Sequence, residues 1–273
     1  MASVKVSVLT PIYNTNPEYL RKMIESILNQ TFLDFEFLIL NDSPQNKNLK
    51  GIVESYKDKR IIYLENEKNL GISGSRNKLL ALAKGDYLAI FDHDDISLPT
   101  RLEFEAKMLD ENPDIGVVSS NIKILGKRKI KKFPEWNLDI KRRLVNHGCV
   151  VAHSASMIRK SVLIENNIKW EEKYSPCEDY RLWGQLIDKT MFHNIQEPLI
   201  LYRVHENNTT HLKKESMRDK ENLIKNQLIG KYPLFANSNV YYNLFGFIPF
   251  LKKKGQNKYL LLNMIPLFKT KSY

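Results

Sequence analysis

Short, predominantly apolar runs, set between amphipathic stretches, constrain this chain more than any other feature. Val4–Leu9, Phe35–Leu40, Arg60–Leu64 and Tyr87–Phe91 are rich in residues that favour strands. Between them, Asn16-Pro17 supplies a capping side chain followed by proline at a first helical position. Leu20, Met23, Ile24, Ile27 and Leu28 then keep to one helical face. The spacing predicts further helices over Asn48–Lys57, Ser73–Lys84 and Pro99–Glu111, and a strand over Ile115–Leu125. A strand that is apolar on both faces needs cover on both. The expected fold is therefore α/β, a mostly parallel sheet flanked by helices. Ligands in such sheets bind beyond the carboxyl ends of the strands. Asn14, Asp42 and the run Asp92-His93-Asp94-Asp95 all fall there.

The last of these is the most chemical stretch of the chain. Three carboxylates within four positions repel one another, and a bound cation would relieve the strain. Oxygen ligands suit Mg²⁺ or Mn²⁺ better than zinc. The plainer alternative is a solvated acidic turn ahead of a helix that starts near Ser97-Leu98-Pro99. Gly71-Ile-Ser-Gly74-Ser-Arg76-Asn77 is no P-loop and no complete G-x-G-x-x-G fingerprint, but a glycine-containing helix start with Arg76 nearby suits a phosphate.

The second half is less regular. Lys123–Arg143 holds nine basic residues against Glu135 and Asp139, which reads as an exposed loop or hairpin. Cys149–Ile158 reads as a strand, Glu178–Leu186 as a helix and Glu197–Arg203 as a short strand leading to His205. Cys149 and Cys177 lack metal-site spacing and are expected as reduced, partly buried thiols. No window nears the ~20 apolar residues of a membrane span, and no secretory signal is evident, so the expected place is the cytosol. The net charge of +11 is uneven: from Lys213 onward twelve Lys/Arg face three acids, a net +9. That asymmetry points to a polyanionic partner.

Taken together and in order, TPIYN, NDS, NLGISGSRN, FDHDD, CEDYRLW and YRVH resemble the family 2 glycosyltransferases of GT-A fold, in particular bacterial enzymes that build capsule or lipopolysaccharide glycans. The likeness runs from about Val4 to His205. It implies a glycosyltransferase domain over 1–212, with a donor-binding half to about 125 and an acceptor half beyond. A basic, mainly helical extension over 213–273 would follow. It further implies that Pro11, Tyr13 and Asn14 form the first nucleotide-contacting turn and that Asp42 pairs with the base, usually uracil. Asn69, Gly71 and Arg76 would line base and diphosphate. Asp92 and Asp94 match the DxD motif, with Asp94 the chief metal ligand, Asp92 a donor contact and further metal candidate, and His205 closing over diphosphate or metal. His93 occupies the variable middle of that motif, beside sugar or as a pH-sensitive group. Asp179 is similar to the catalytic base.

Departures from the family pattern matter too. Ser43-Pro44 replaces the usual glycine-serine, and the QxxRW motif of processive synthases is absent, which argues for one sugar per encounter. Several residues carry two readings: Asp42 as base contact or cap, Arg76 as diphosphate ligand or ion-pair partner, and His205 as ligand or satisfied polar group. Glu178 rivals Asp179 as base, and is otherwise acceptor-side with Trp183 and His153, the latter two also being candidates for structural roles. His211 reads as surface. Tyr241–Leu251 with Lys252–Lys254, and Tyr259–Phe268 with Lys269 and Lys271, alternate apolar and cationic blocks as a segment lying on anionic lipid would. The expected protein is thus an inverting, metal-dependent enzyme, peripheral on the cytoplasmic face of the inner membrane. It would move one sugar from a nucleotide sugar to a glycan or lipid-linked acceptor, and no nucleic-acid partner is indicated. Competing readings are a sugar-1-phosphate nucleotidyltransferase, which wants a glycine-rich loop after the first strand, and a basic binding module without catalysis.

Overall fold

The computed structural model describes residues 4–206, 208 and 213–236, and beyond them the backbone alone of 238–242, 249–253 and 259–261. The first half follows the strand–helix alternation closely. β1 (Val6–Ile12), α1 (Pro17–Leu28), β2 (Phe35–Asn41), α2 (Asn48–Glu54), β3 (Ile61–Glu65), α3 (Gly71–Leu82) and β4 (Tyr87–Ile90) occur in that order. Asn16 caps α1 as its sequence promised, Oδ1 accepting from the Glu18 and Tyr19 amides. The short β5 (Ile96–Ser97), α4 (Arg101–Glu111), β6 (Ile115–Ile124), β7 (Ile130–Lys131) and α5 (Asn137–Asn146) follow. The chain then forms β8 (Ser156–Arg159), α6 (Lys160–Glu165), α7 (Glu178–Leu186), β9 (Met191–Tyr202) and α8 (Lys214–Lys231).

The main sheet runs β3-β2-β1-β4-β8-β6-β9-β5, with β7 pairing off β6. Its first four strands are parallel. β8 then lies antiparallel to both β4 and β6, β9 returns parallel to β6, and β5 is antiparallel to β9. The sheet is thus parallel only in its first half and mixed beyond it. Side chains alternate between two cores. Val6, Val8, Phe37, Ile39 and Ala89 meet α1, α2 and α4, while Leu9, Leu38, Leu88 and Ile90 meet α3, α5 and α7. Two apolar faces per strand explain why the runs read as continuous rather than alternating. α2 and α3 lie on either side of β2 and β3, and the chain order reverses between β1 and β4, so a crevice opens at the carboxyl ends of these two strands.

The second half departs from expectation in three places. Cys149–Ile158 is not one strand: a single 3₁₀ turn, His153–Ala155, precedes β8. The turn is closed by Ser156 Oγ donating to the His153 carbonyl, and it aims Ser154 at the acidic turn instead of along the sheet. The basic stretch after β6 is a hairpin only through β7, and its remainder forms α5. Glu197–Arg203 is the second half of a longer strand, β9, whose pairing with β6 is irregular around Asn121. After α8 come a short helix, α9 (Pro233–Ala236), and three antiparallel strands, β10 (Ser238–Tyr242), β11 (Pro249–Lys253) and β12 (Tyr259–Leu261). Much of the apolar–lysine tail, and His211, lie outside the described residues.

Candidate active site

β4 ends at Ile90, and the next five residues turn across the crevice. Each acid in the turn meets a different partner. Asp92 Oδ1 accepts from Arg76 Nη2 at 3.0 Å. Asp94 Oδ2 lies 2.9 Å from His205 Nε2, with Asn208 Nδ2 at 3.4 Å. Asp95 is fully buried, its Oδ2 accepting from Ser154 Oγ at 2.6 Å and its Oδ1 from the Arg203 amide at 3.0 Å. Burial first, and then the charges of Asp94 and Asp92, push the Asp95 carboxyl well above its usual range. The fold meets the mutual repulsion of the three carboxylates with separate partners: one is ion-paired, one faces imidazole, and one is buried on a hydroxyl and an amide. The solvated-turn alternative fits no better, since Asp95 is buried and each acid of the turn has a side-chain partner.

Arg76 joins the two halves of the site. It projects from α3, is buried, and donates from Nη1 to Glu178 Oε1 at 2.9 Å as well as to Asp92. Glu178 and Asp179 open α7. Glu178 is spent on Arg76, although its Oε2 is buried without a partner among the described residues. Asp179 points elsewhere and is partly buried. Its Oδ1 accepts from the Tyr180 amide at 2.6 Å, and Cys149 Sγ lies 3.9 Å from Oδ2. Burial, then the charge of Glu178, push this carboxyl up to about 7. A carboxyl titrating there takes up a proton readily at neutral pH. The ion-pair role separates Glu178 from its neighbour. Cys149 is itself held protonated, its thiol raised well above the usual range by burial and by Asp179.

The segments after β1, β2 and β3 interlock. Pro11 is a buried residue of β1, and Tyr13, half exposed, and Asn14 follow it. Asn14 adopts φ 45° and is secured by its amide donating to Ser43 Oγ. Asp42 Oδ1 accepts from Asn66 Nδ2 at 2.7 Å and the Leu70 amide at 2.8 Å, so it organises the 66–71 segment. Asn69 in turn accepts from the Gly71 amide, and Gly71 takes φ 71°, which a residue with Cβ rarely adopts. A Cβ there would also meet Glu172 Oε1 at 3.1 Å.

Two acceptor-side candidates are corrected. Trp183 is fully buried, its ring against His153 and Phe192, and presents no face to a sugar. His153 is buried as well, its Nε2 accepting from Trp170 Nε1 at 3.1 Å. Burial, then the Arg76 charge, hold His153 well below its usual pKa, so it stays neutral and structural. His93 lies in the turn with Nδ1 buried and without a partner among the described residues.

Four participants escape sequence reasoning. Arg203 donates from Nε to the Asp94 carbonyl at 2.8 Å, and its guanidinium lies 4.1 Å from the centre of the Tyr19 ring. Tyr19, on α1, also packs against the His205 ring at 5.5 Å. Arg101 and Glu105 form a fully buried pair under the turn, where Arg101 Nη2 donates to the carbonyls of Ile90 and Ser156. An arginine one residue past a strand, beside an aromatic one turn into α1, was the available signal for the first two. Arg101 offered none beyond its i, i+4 acid.

Comparison with known proteins places this arrangement. The backbone matches that of GT-A glycosyltransferases. Staphylococcus aureus TarS in complex with UDP-GlcNAc aligns with a TM-score of 0.67 at 21% identity, over 85% of this chain and 72% of that one. A mannosyltransferase of Pyrobaculum calidifontis, in complex with GDP-Man and Mn²⁺, aligns at 0.60 and 16% identity over 84% of this chain and 64% of that one. The family model Glycosyl transferase family 2 matches residues 7–166. An uncharacterised glycosyltransferase of Methanocaldococcus jannaschii is 38% identical over 78% of this chain and 76% of its own length. The amylovoran biosynthesis glycosyltransferase AmsE of Erwinia amylovora is 30% identical over 66% of this chain and 69% of its own. The chain belongs to glycosyltransferase family 2, which sets aside both the nucleotidyltransferase and the non-catalytic readings.

The Tyr19 ring carries both Arg203 and His205. Tyr19→Leu should lower the transfer rate several-fold with little change in Tm, a cation–π contact contributing ~0.5–2 kcal/mol. Tyr19→Phe, which keeps the ring, should match wild type. Steady-state rates of nucleotide release measure both.

Proposed function

We propose that this glycosyltransferase moves one sugar from a nucleotide-sugar donor, with UDP-sugars the first choice, to a glycan acceptor that is lipid-linked, with inversion and with a divalent metal, in surface polysaccharide assembly. The observation that carries the reading is Arg76 tying Asp92 to Glu178, which sets the donor end of β4 against the helix that bears Asp179. The donor-binding half would be residues 1–125, the acceptor half 126–212, and 213–273 an appended basic region. Amylovoran biosynthesis in the name of one relative supports the polysaccharide setting. UDP-GlcNAc and GDP-Man with Mn²⁺ in the two structural neighbours support the donor class and the metal.

Among the described residues no group of three or more His, Cys, Asp or Glu closes a metal site alone. The residues present nonetheless fit an ion that shares its shell with a diphosphate. Asp94 Oδ2 and His205 Nε2, 2.9 Å apart, are spaced like adjacent ligands on an ion with bonds of ~2.1 Å. Asp94 and His205 would hold it, Mn²⁺ suiting the mixed oxygen–nitrogen pair better than Mg²⁺. When bound it would offset charge developing on the leaving diphosphate. The protein's own groups do the rest. The 11–14 turn, Asp42 and the 69–71 segment seat the nucleotide, and Arg76 and Asp92 orient ribose, sugar and phosphates. Asp179 then takes the proton from the acceptor hydroxyl as its oxygen bonds to the sugar's anomeric carbon and the bond to the diphosphate breaks.

Among the described residues no helix is long and apolar enough to cross a membrane. Peripheral docking through the apolar–lysine blocks of 241–271 would bring the enzyme to a lipid-linked acceptor on the cytoplasmic face. Incubation with Mn²⁺ and a panel of nucleotide sugars, with and without acceptors, tests the function. It should show metal-stimulated nucleotide release from one donor, and no release from any donor would refute the assignment.

A further inference from the structure

The most concentrated positive charge on the described surface lies on the hairpin that follows β6. Lys123, Lys127, Arg128, Lys129, Lys131 and Lys132 fall within ten residues on the β6–β7 hairpin, with no acid among them. All six are exposed. None forms an ion pair among the described residues. Of the two acids nearby, Asp139 is spent on Arg143 at 3.2 Å. So many uncompensated like charges on one hairpin cost stability, and they attract anions.

The hairpin is also placed to matter. It extends from the carboxyl end of β6, where the Leu125 amide donates to the Tyr202 carbonyl at 2.8 Å. Tyr202 is the last residue of β9 and leads directly into Arg203 and His205. On its other side, the chain leaving the hairpin is tied to the residue after Cys149 by Asn194 Nδ2, which donates to the Pro134 and Val150 carbonyls, and Cys149 Sγ lies 3.9 Å from Asp179 Oδ2. The basic hairpin is therefore anchored to the two segments that lead to His205 and to the neighbour of Asp179.

Two apolar residues decide the kind of anion. Ile130 sits exposed between Lys129 and Lys131, and Trp136, at the entry to α5, is 58% exposed. A soluble polyanion has no use for an isoleucine among the lysines. A bilayer does: cations meet anionic headgroups, while tryptophan and an apolar side chain enter the interfacial layer.

We propose that the β6–β7 hairpin, with Trp136, docks on an anionic membrane surface and turns the acceptor side of the site toward the bilayer. This rests on the reading that the acceptor is membrane-borne, and it adds a contact separate from the C-terminal lysine blocks. The test is co-sedimentation of the full chain with phosphatidylcholine vesicles, with and without phosphatidylglycerol, at two salt concentrations. Wild type should bind the anionic vesicles only, and less at high salt. The triple variant Lys127→Gln, Arg128→Gln, Lys129→Gln should lose on the order of a hundredfold in partitioning, each cation contributing roughly fivefold near such a surface. Ile130→Ser should lose several-fold more than its removal of no charge predicts electrostatically.

Nucleotide release with a soluble acceptor should be unchanged in both variants, which shows that they fold and separates this inference from the enzyme assignment. A third variant, Lys252→Gln, Lys253→Gln, Lys254→Gln, isolates the tail. If it alone loses vesicle binding and the hairpin variants do not, the inference is overturned while C-terminal docking stands. Binding of soluble polyphosphate but not vesicles would overturn it as well, in favour of a polyanionic partner.

Discussion

Asp179→Asn is expected to lower the transfer rate by about 10²–10⁴-fold, the range a positioned general base supplies. The pH profile separates a base from a merely structural carboxylate. With its carboxyl pushed up to about 7, wild type should gain rate tenfold per pH unit below that value and level off above it. The residual activity of the variant should show no such limb. Stability should move the opposite way. A carboxyl whose folded pKa lies above its unfolded value binds more protons when folded, so folding loses stability as pH rises from about 4 to about 7, and the loss is complete above. The Asn side chain carries no such penalty. Asp179→Asn should therefore melt higher than wild type at pH 8 and equally at pH 4, measured by differential scanning fluorimetry. A lower Tm at pH 8 would mean that Asp179 is held for structure.

The parts of the site legible in sequence were those the backbone carries by itself. Val6–Ile12, Phe35–Asn41 and Tyr87–Ile90 are apolar on both faces, so their ends are abrupt, and Asn14, Asp42 and Asp92 mark the crevice without tertiary information. What stayed hidden depends on pairing across the fold. Arg76 and Glu178 are 102 residues apart, and nothing local to either predicts that one carboxylate would be spent on the guanidinium and leave its neighbour free. Burial misled in both directions. Trp183 lies one helical turn beyond Asp179 on the same face, but tertiary packing closes over its ring, which is buried against His153 and Phe192. Asp95 looked like a third member of an acidic cluster and proves to be a buried brace that ties Ser154 and the strand end at Arg203 together. Strand propensity over 149–158 was overridden by the turn that delivers Ser154.

That division of labour within one turn yields the sharpest contrast between variants. Asp94→Ala should abolish transfer, by at least about 10³-fold given the several kcal/mol a metal-held charge contributes in such reactions. Among the described residues its side chain bonds only to the half-buried His205 and, at 3.4 Å, to Asn208, whereas Arg203 holds the Asp94 carbonyl, which the substitution keeps. Tm should hence fall little, by no more than the ~1 kcal/mol of a partly exposed polar contact. Asp95→Ala removes two buried hydrogen bonds and leaves a void, a loss of roughly 2–4 kcal/mol that should appear as a clearly lower Tm. Mn²⁺-dependent binding of a nucleotide diphosphate, followed by titration calorimetry, should vanish in Asp94→Ala. Apo folding should survive, and binding should persist in Asp95→Ala below its melting range. If Asp94→Ala kept a tenth of wild-type activity, the metal would have to be held elsewhere or not be needed. The 2.9 Å approach of His205 would then be a structural clasp for the segment after β9.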